Sequence, residues 1–179
     1  MKKLTEQAEE QYRVEEYGAS AAIDGVELAE LRRFNDDTGS FTELGRISDG
    51  VIEGLDGFRL AQINDSLLAP GAIKAFHVHR RQTDVWYVPP QDRVLLVLVD
   101  VRDDSPTKNE VVRMVLGDGR SRLVRVPPGV AHGCRNLGPS PARIIYFTDL
   151  HFSSDPETTD EGRLPWDLVG PEVWEPTRD

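Results

Sequence analysis

The chain has 179 residues, of which 39% are hydrophobic, enough for one domain with a sizeable core. Its 31 acidic and 21 basic residues give a formal net charge of −10, which disfavours nucleic acid or an anionic membrane as the main partner. One cysteine, Cys134, excludes an intramolecular disulfide, and we expect it to be a small buried residue in a reducing cytosol rather than a reactive thiol.

The N-terminal region is strongly charged. Residues 3–16 are rich in Glu, Gln and Lys and predict a short exposed helix, whereas residues 23–31 carry both strand and helix signals and decide for neither. Because the first residues lack an apolar stretch, we expect neither a secretory signal nor a membrane anchor. No segment approaches the ~20 apolar residues that a membrane helix needs, so the sequence predicts a cytoplasmic protein.

From residue 58 onward, β-branched or aromatic runs alternate with turn clusters such as APG, GDGRS and PPG. The runs are FRLAQIN, AIKAFHVH, VWYV, VLLVLVDV, VVRMVL, RLVRV and ARIIYFT. Many short strands at this spacing predict an antiparallel sandwich or barrel rather than a βαβ fold. The polar, Pro-rich segment 153–179 contains Trp166 and Trp174, and we expect it to wrap the barrel as a cover.

Three of the four histidines fall in one two-part pattern. His77 and His79 share a run with Asp84 five residues beyond, and His132 lies in the later segment PPGVAHGCRN. Side chains alternate along a strand, so His77 and His79 point the same way, and the other two side chains can converge on them from neighbouring strands. The pattern predicts a metal site or an acid/base pocket, the alternative being interior polar residues that bond only to one another.

This two-part pattern resembles the paired motifs of the cupin β-barrels, and further motifs resemble one family among them. The run QINDS at 62–66, followed by GAIKAFH at 71–77, resembles Q-x-N-x-S and G-x-x-R-G-L-H of the dTDP-4-dehydrorhamnose 3,5-epimerase family. Residues 36–43, 99–107 and 128–133 resemble its D-x-R-G-x-F-x-E, V-D-L-R-x-x-S-P-T and P-x-G-x-A-H-G motifs.

The resemblance implies an all-β cupin jelly-roll β-barrel with a short helical N-terminal extension and an irregular C-terminal one. It implies a single domain over 1–179, with its core at about 30–152. Members of this family are dimers, so a homodimer is expected. The implied reaction is epimerisation of a nucleotide sugar of the dTDP-4-keto-6-deoxyhexose type, by proton abstraction beside the 4-keto group and without a cofactor.

The resemblance also assigns roles to residues. His77 matches the base, and Tyr146 matches the acid after one inserted residue in the loop behind His132, although an aromatic core residue fits that position equally well. The residues that would contact the sugar or its nucleotide are Phe41, Glu43, Gln62, Asn64, Lys74 and His132, the first two across the dimer. Gln62 and Asn64 fit barrel-end hydrogen bonding as an alternative.

Three positions depart from the family pattern. Lys74 and Thr38 stand where the family has arginines, so bidentate phosphate contacts are lost. Asp84 stands where the family has the lysine that stabilises the enolate. A carboxylate at ~4 Å from a developing enolate would cost on the order of several kcal/mol in a partly buried site.

Two other functions therefore stay open. His77, His79, Asp84 and His132 would complete a ligand set for a divalent transition metal of unspecified identity, in a metal-dependent cupin that acts as an isomerase, oxygenase or lyase on another small molecule. A sugar-binding barrel without catalytic activity would explain the missing Arg and Lys. In the family a C-terminal carboxylate orients the base, and Asp167 is the sequence's weak candidate for it.

Overall fold

The computed structural model describes residues 2–13 and 22–176. A short helix, α1 (Glu6–Gln11), is capped by Thr5, whose hydroxyl accepts a hydrogen bond from the Ala8 amide, and none of its residues is buried. The predicted helix over 3–16 is thus shorter than expected, and its end at 14–16 lies outside the described residues. Among those residues, no helix has the length and apolar character needed to cross a membrane.

Strands make up most of the remaining regular structure. They are β1 (Glu27–Glu30), β2 (Arg33–Asp36), β3 (Gly39–Thr42), β4 (Ile47–Ser48), β5 (Val51–Ile52), β6 (Gln62–Leu68), β7 (Ile73–Val78), β8 (Asp84–Tyr87), β9 (Arg93–Asp100), β10 (Val111–Gly117), β11 (Arg122–Val126), β12 (Val130–Asn136), β13 (Ala142–Thr148) and β14 (Gly162–Arg163). A 3₁₀ helix, η1 (Pro171–Trp174), follows.

Two five-stranded antiparallel sheets form the barrel. The first has the order β1-β11-β8-β13-β6 and the second the order β10-β9-β12-β7-β14. Strands β2–β3 and β4–β5 form two separate hairpins. The predicted jelly-roll barrel is confirmed by this antiparallel, two-sheet arrangement with its crossovers.

The core lies between the two sheets. Its central cluster includes Trp86 and Val124 from the first sheet and Leu96 and Leu98 from the second. Strand β9 is buried at every position after Arg93, as its unbroken apolar run predicts. A second cluster, around Phe58 and Val85, covers the other side of the first sheet, and a third covers the second sheet.

The C-terminal segment lies against the second sheet. Strand β14 pairs with β7, and Trp174 is fully buried against Phe76 with ring centroids 5.2 Å apart. The Trp174 indole N–H donates to the Trp166 carbonyl at 2.8 Å. Gly133 is required here, since a Cβ would approach the Ala75 Cβ at 2.4 Å and the Trp174 ring at 2.9 Å. The last three residues of the predicted cover, 177–179, lie outside the described residues.

Replacing Trp174 with alanine is expected to lower the free energy of unfolding by about 3–5 kcal/mol, since a fully buried indole is lost and a cavity is left. Chemical denaturation followed by fluorescence measures the change. Trp166→Ala is the matched control, because the Trp166 side chain is 48% exposed and its removal should cost about 0.5 kcal/mol or less. Equal losses in the two variants would contradict a core role for Trp174.

Candidate active site

A cavity of about 280 Å³ opens within the barrel. Strands β6, β7, β8, β12 and β13 contribute its walls, and β14 with the residue before it closes one side. The lining side chains are Ser66, Lys74, His77, His79, Gln82, Asp84, Trp86, His132, Cys134, Ile144, Tyr146, Glu161 and Arg163. Both parts of the histidine pattern therefore meet in one place.

His77 is placed by cross-strand pairing. Its Cα is paired with that of His132 on β12 and with that of Arg163 on β14. The His77 and His132 rings are stacked, with centroids 6.0 Å apart and planes 15° apart. Glu161 Oε2 lies 3.5 Å from His77 Nδ1. Burial, followed by the charges of His132 and Arg163, lowers the pKa of His77 to about 4.

His79 lies just beyond the end of β7, where the chain turns. Its Nδ1 lies 2.8 Å from the backbone oxygen of Asp160, and the Asp160 carboxylate accepts hydrogen bonds from the backbone amides of Arg80, Arg81 and Gln82. His79 Nε2 faces Asp84 Oδ2 at 3.8 Å. The turn is therefore held by the C-terminal segment, and it directs His79 into the cavity.

Asp84 is a buried carboxylate with several polar neighbours. Its Oδ1 accepts from the Gln82 amide at 2.8 Å, and its Oδ2 accepts from the Trp86 indole at 3.2 Å. His132 Nε2 lies 3.5 Å from the same Oδ2. Burial alone would raise the pKa of Asp84, but the neighbouring His132 and His79, together with the Gln82 bond, outweigh it and hold the pKa at about 2.

Tyr146 comes from the facing sheet. It pairs with Trp86 on β8 and Asn64 on β6, and its ring centroid lies 6.2 Å from that of Trp86. Burial, then the charges of Asp84 and Glu161, raise the pKa of the Tyr146 hydroxyl. The side chain is half-buried and lines the cavity, so it is not enclosed among apolar core residues.

The residues expected to contact the sugar or nucleotide are divided among several places. Lys74 lines the cavity and donates to the Ser66 hydroxyl at 3.2 Å. The Gln62 amide donates to Asn64 Oδ1 at 2.6 Å, and both line an adjoining depression that also contains Tyr146. Phe41 and Glu43 lie outside the cavity of their own chain: the Phe41 side chain is 62% exposed, and Glu43 pairs with Arg46.

The four-residue metal set is not assembled as predicted. His79, Asp84 and His132 each offer an atom within 4.8 Å of the others, and all three are buried. His77 is outside that group, although it shares the cavity. The bond from His79 Nδ1 to the Asp160 carbonyl turns its Nε2 towards Asp84, whereas the nearest carboxylate contact of His77 is with Glu161.

Sequence reasoning missed the C-terminal contribution to the site. Asp167 is exposed and does not line the cavity, whereas Glu161 contacts His77. Gln82 and Trp86, which hold Asp84, were also not anticipated. The acidic pair at 160–161 followed by Gly162 was the available signal. Cys134 is buried, and burial raises the pKa of its thiol to about 12, as expected of a small buried residue rather than a reactive one.

Comparisons with known proteins agree with the motifs. The family model described as dTDP-4-dehydrorhamnose 3,5-epimerase matches residues 20–166. The spore coat polysaccharide biosynthesis protein SpsL of Bacillus subtilis (strain 168) is 41% identical over 145 residues, which are 81% of this chain and 91% of that protein.

Solved structures that share the fold include several above 25% identity. A dTDP sugar isomerase from Desulfovibrio desulfuricans G20 has a TM-score of 0.73 and 27% identity over 85% of this chain and 92% of that one. The dTDP-4-dehydrorhamnose 3,5-epimerase of Bacillus anthracis str. Ames, solved with TDP and PPi bound, has a TM-score of 0.67 and 28% identity over 83% and 85%. The resemblance seen in the motifs is confirmed, and the chain belongs to the dTDP-4-dehydrorhamnose 3,5-epimerase family.

Proposed function

We propose that the chain is a nucleotide-sugar epimerase that inverts a carbon beside the 4-keto group of a dTDP-4-keto-6-deoxyhexose. One observation supports this most directly: His77 and Tyr146 line the same cavity from different sheets, on β7 and β13. A sugar ring between them presents one face to an imidazole and the other to a phenol. Inversion needs this arrangement, because the proton must leave from one face and return to the other.

The reaction can be written with these two groups alone. His77 takes the proton from the carbon next to the ketone, the C–H electron pair forms a C=C bond, and the carbonyl oxygen becomes an enolate. The Tyr146 O–H then protonates the same carbon from the opposite face, and the electron pair re-forms the ketone. His77 afterwards releases its proton to water and Tyr146 takes one up, which restores both groups. The lowered pKa of His77 keeps its imidazole neutral near pH 7, and the raised pKa of Tyr146 keeps its proton in place. The chemistry needs no cofactor.

Asp84 stands close to this reaction, and its surroundings limit the repulsion that a free carboxylate would exert. Its two oxygens accept from the Gln82 amide and the Trp86 indole, and two imidazoles lie within 4 Å of Oδ2. The two N–H donors offset part of its negative charge. The proposal therefore places Asp84 as a fixed part of the wall and assigns the proton transfers to His77 and Tyr146.

The nucleotide is proposed to lie at the mouth of the cavity. Lys74 and Arg163 supply positive charge in the lining, and Gln62 and Asn64 supply amide groups in the adjoining depression. The Bacillus anthracis relative was solved with TDP and PPi, which is consistent with a diphosphate-linked ligand. A lysine in place of a bidentate arginine grip makes weaker phosphate binding the expected property of this chain.

Glu161 is proposed as the positioning residue for His77, because its carboxylate faces Nδ1 and thereby leaves Nε2 as the basic nitrogen. Glu161→Gln keeps the size but removes the charge. It should lower kcat about tenfold, which corresponds to the roughly 1.4 kcal/mol expected for one charge-assisted contact. KM and the melting temperature should change little, since substrate contacts and packing are kept. Steady-state kinetics on a 4-keto sugar measures the changes in kcat and in KM separately.

Glu157→Gln is the matched control, since Glu157 lies in the same segment, is exposed and loses the same charge. It should leave kcat unchanged. If Glu161→Gln raised KM without lowering kcat, Glu161 would be a substrate-binding residue and the positioning role would be wrong.

A homodimer is also proposed. Strand β6 is an edge of the first sheet, and Ile63 and Leu67 on it are 56% and 60% exposed. Exposed apolar edge strands favour pairing with a second chain. Pairing would also give Phe41 and Glu43 a route to the nucleotide bound by the other chain.

Light scattering at micromolar concentration should give twice the mass of one chain. The double variant Ile63→Glu/Leu67→Glu should give a monomer, because two charges would be buried at the contact. Leu168→Glu adds a charge at another exposed apolar position and should leave the dimer intact. A monomeric wild type at that concentration would overturn the proposal.

Hydrogen exchange tests the proposed function. The protein is incubated with a dTDP-4-keto-6-deoxyhexose in deuterated water, and mass spectrometry follows uptake of deuterium into the sugar. Uptake supports an epimerase. Its absence, with intact fold, would favour a binding protein or a cupin of different chemistry.

A further inference from the structure

The cavity lining includes three groups that the proposed proton transfers do not use: His79, Asp84 and His132. Each is less than 5% exposed. Their ring nitrogens and carboxylate oxygen lie within 4.8 Å of one another. His77, the proposed base, is not part of this group.

Hydrogen bonds determine which nitrogen of each imidazole carries the proton. His79 Nδ1 lies 2.8 Å from the Asp160 carbonyl oxygen, and His132 Nδ1 lies 3.1 Å from the Val130 carbonyl oxygen. A backbone carbonyl only accepts, so each Nδ1 must be the donor. In a neutral imidazole the other nitrogen, Nε2, then carries a lone pair and no hydrogen.

Both Nε2 atoms face the same acceptor. His79 Nε2 is 3.8 Å and His132 Nε2 is 3.5 Å from Asp84 Oδ2. The Gln82 amide nitrogen donates to Asp84 Oδ1 at 2.8 Å, and its second hydrogen reaches His79 Nε2 only through a long contact of 3.5 Å. Two lone pairs and a carboxylate oxygen therefore converge in a buried space, and a positive charge between them would stabilise all three.

A proton satisfies this arrangement less well than a metal ion. One added proton lets a single histidine donate to Asp84 and leaves the other lone pair facing it. Two added protons place two imidazolium rings in a buried site with centroids 5.3 Å apart, where like charges repel. A single divalent ion accepts all three groups at once.

We propose that His79, Asp84 and His132 form a binding site for one divalent transition-metal ion. A set of two imidazoles and one carboxylate binds such an ion in preference to Mg²⁺ or Ca²⁺. Ligand atoms on one tetrahedral ion lie roughly 3.3 Å apart when each bond is about 2.0–2.1 Å, so the observed separations from Asp84 Oδ2 need only small side-chain shifts. Nδ1–H bonds to backbone carbonyls, and the Trp86 and Gln82 bonds to Asp84, orient the ligands as outer contacts of metal sites do.

The site has a defined relation to the cavity. Its three ligands also line the cavity, so a bound ion has a coordination position open towards whatever small molecule occupies that space. Because His77 stays outside the ligand group, metal binding and proton abstraction by His77 are compatible. The metal site does not depend on the proposed epimerase function, and either can fail without the other.

The test uses the full chain without an affinity tag, stripped with a chelator and titrated with Co²⁺ while visible absorption and elemental analysis are recorded. One equivalent should bind, raise the melting temperature, and not be displaced by excess Mg²⁺. His79→Ala and Asp84→Asn should each weaken Co²⁺ binding by about 100-fold or more. His77→Asn and His151→Asn are the matched controls, and both should retain wild-type affinity.

Three results would overturn the site. The first is that folded wild-type protein binds no stoichiometric Co²⁺ or Zn²⁺. The second is that Mg²⁺ competes with Co²⁺ on equal terms. The third is that His77→Asn loses binding to the same extent as His79→Ala. If Asp84→Asn does not fold, the His79→Ala variant and the metal-dependent melting temperature of the wild type still decide the question. Nitrogen NMR of the wild type that finds both Nε2 atoms protonated at neutral pH, without metal uptake, would assign the positive charge to protons instead.

Discussion

His77→Ala is expected to abolish deuterium exchange into a dTDP-4-keto-6-deoxy sugar. The proposed base is removed, and no other imidazole in the described part of the chain replaces it, because His79 and His132 direct their Nε2 atoms at Asp84. General-base catalysis contributes about 10²–10⁴-fold, so exchange should fall by at least that range. Mass spectrometry of the recovered sugar measures it.

His151→Ala is the control for this variant, since His151 is exposed and outside the cavity lining. It should exchange at the wild-type rate. Exchange by His77→Ala at more than a tenth of that rate would show that the base is another group. Substrate binding should survive the change, because the proposed nucleotide contacts are untouched.

Tyr146→Phe is expected to separate exchange from inversion. Proton removal needs only the base, so deuterium uptake should stay within a few-fold of the wild type. Inversion needs a donor on the other face and should slow by about 10²-fold, the lower end of the contribution of a general acid. The phenylalanine ring keeps the packing against Trp86, so stability should be unaffected.

The measurement compares the rate of deuterium uptake with the rate of epimer formation, read by NMR on the same sample. Tyr87→Phe is the matched control, because that tyrosine is buried in the cluster on the other side of the first sheet. It should change neither rate. If Tyr146→Phe slowed both rates equally, Tyr146 would act before or during proton removal, and the two-face mechanism would be wrong.

The barrel strands were predictable because their apolar and β-branched residues are the ones that the fold buries. Runs such as VLLVLVDV and RLVRV correspond to β9 and β11 within one or two residues. Strand β12 was recognised only through its motif, since HGCRN carries no strand signal and is buried because its neighbours β7 and β9 enclose it. The short strands between Glu27 and Ile52 have mostly exposed side chains, so no apolar pattern marked them.

The site was predictable where motif residues lie on paired strands. His77 and His132 face each other through the register of β7 and β12. The grouping differs from the prediction where the chain leaves the strand: His79 lies at the start of a turn whose amides are held by Asp160, and a contact so distant in sequence cannot be read from local spacing. Glu161 was missed for the same reason, because the pairing of β14 with β7 places it beside His77.

The most direct test is proton exchange by the wild-type protein with dTDP-4-keto-6-deoxyglucose in deuterated water, with NMR to locate the label. The proposed function predicts deuterium at C3 or C5, the carbons next to the ketone, together with an inverted product at the labelled carbon. Label at any other carbon, or a folded protein that binds the sugar and incorporates no deuterium, would contradict it.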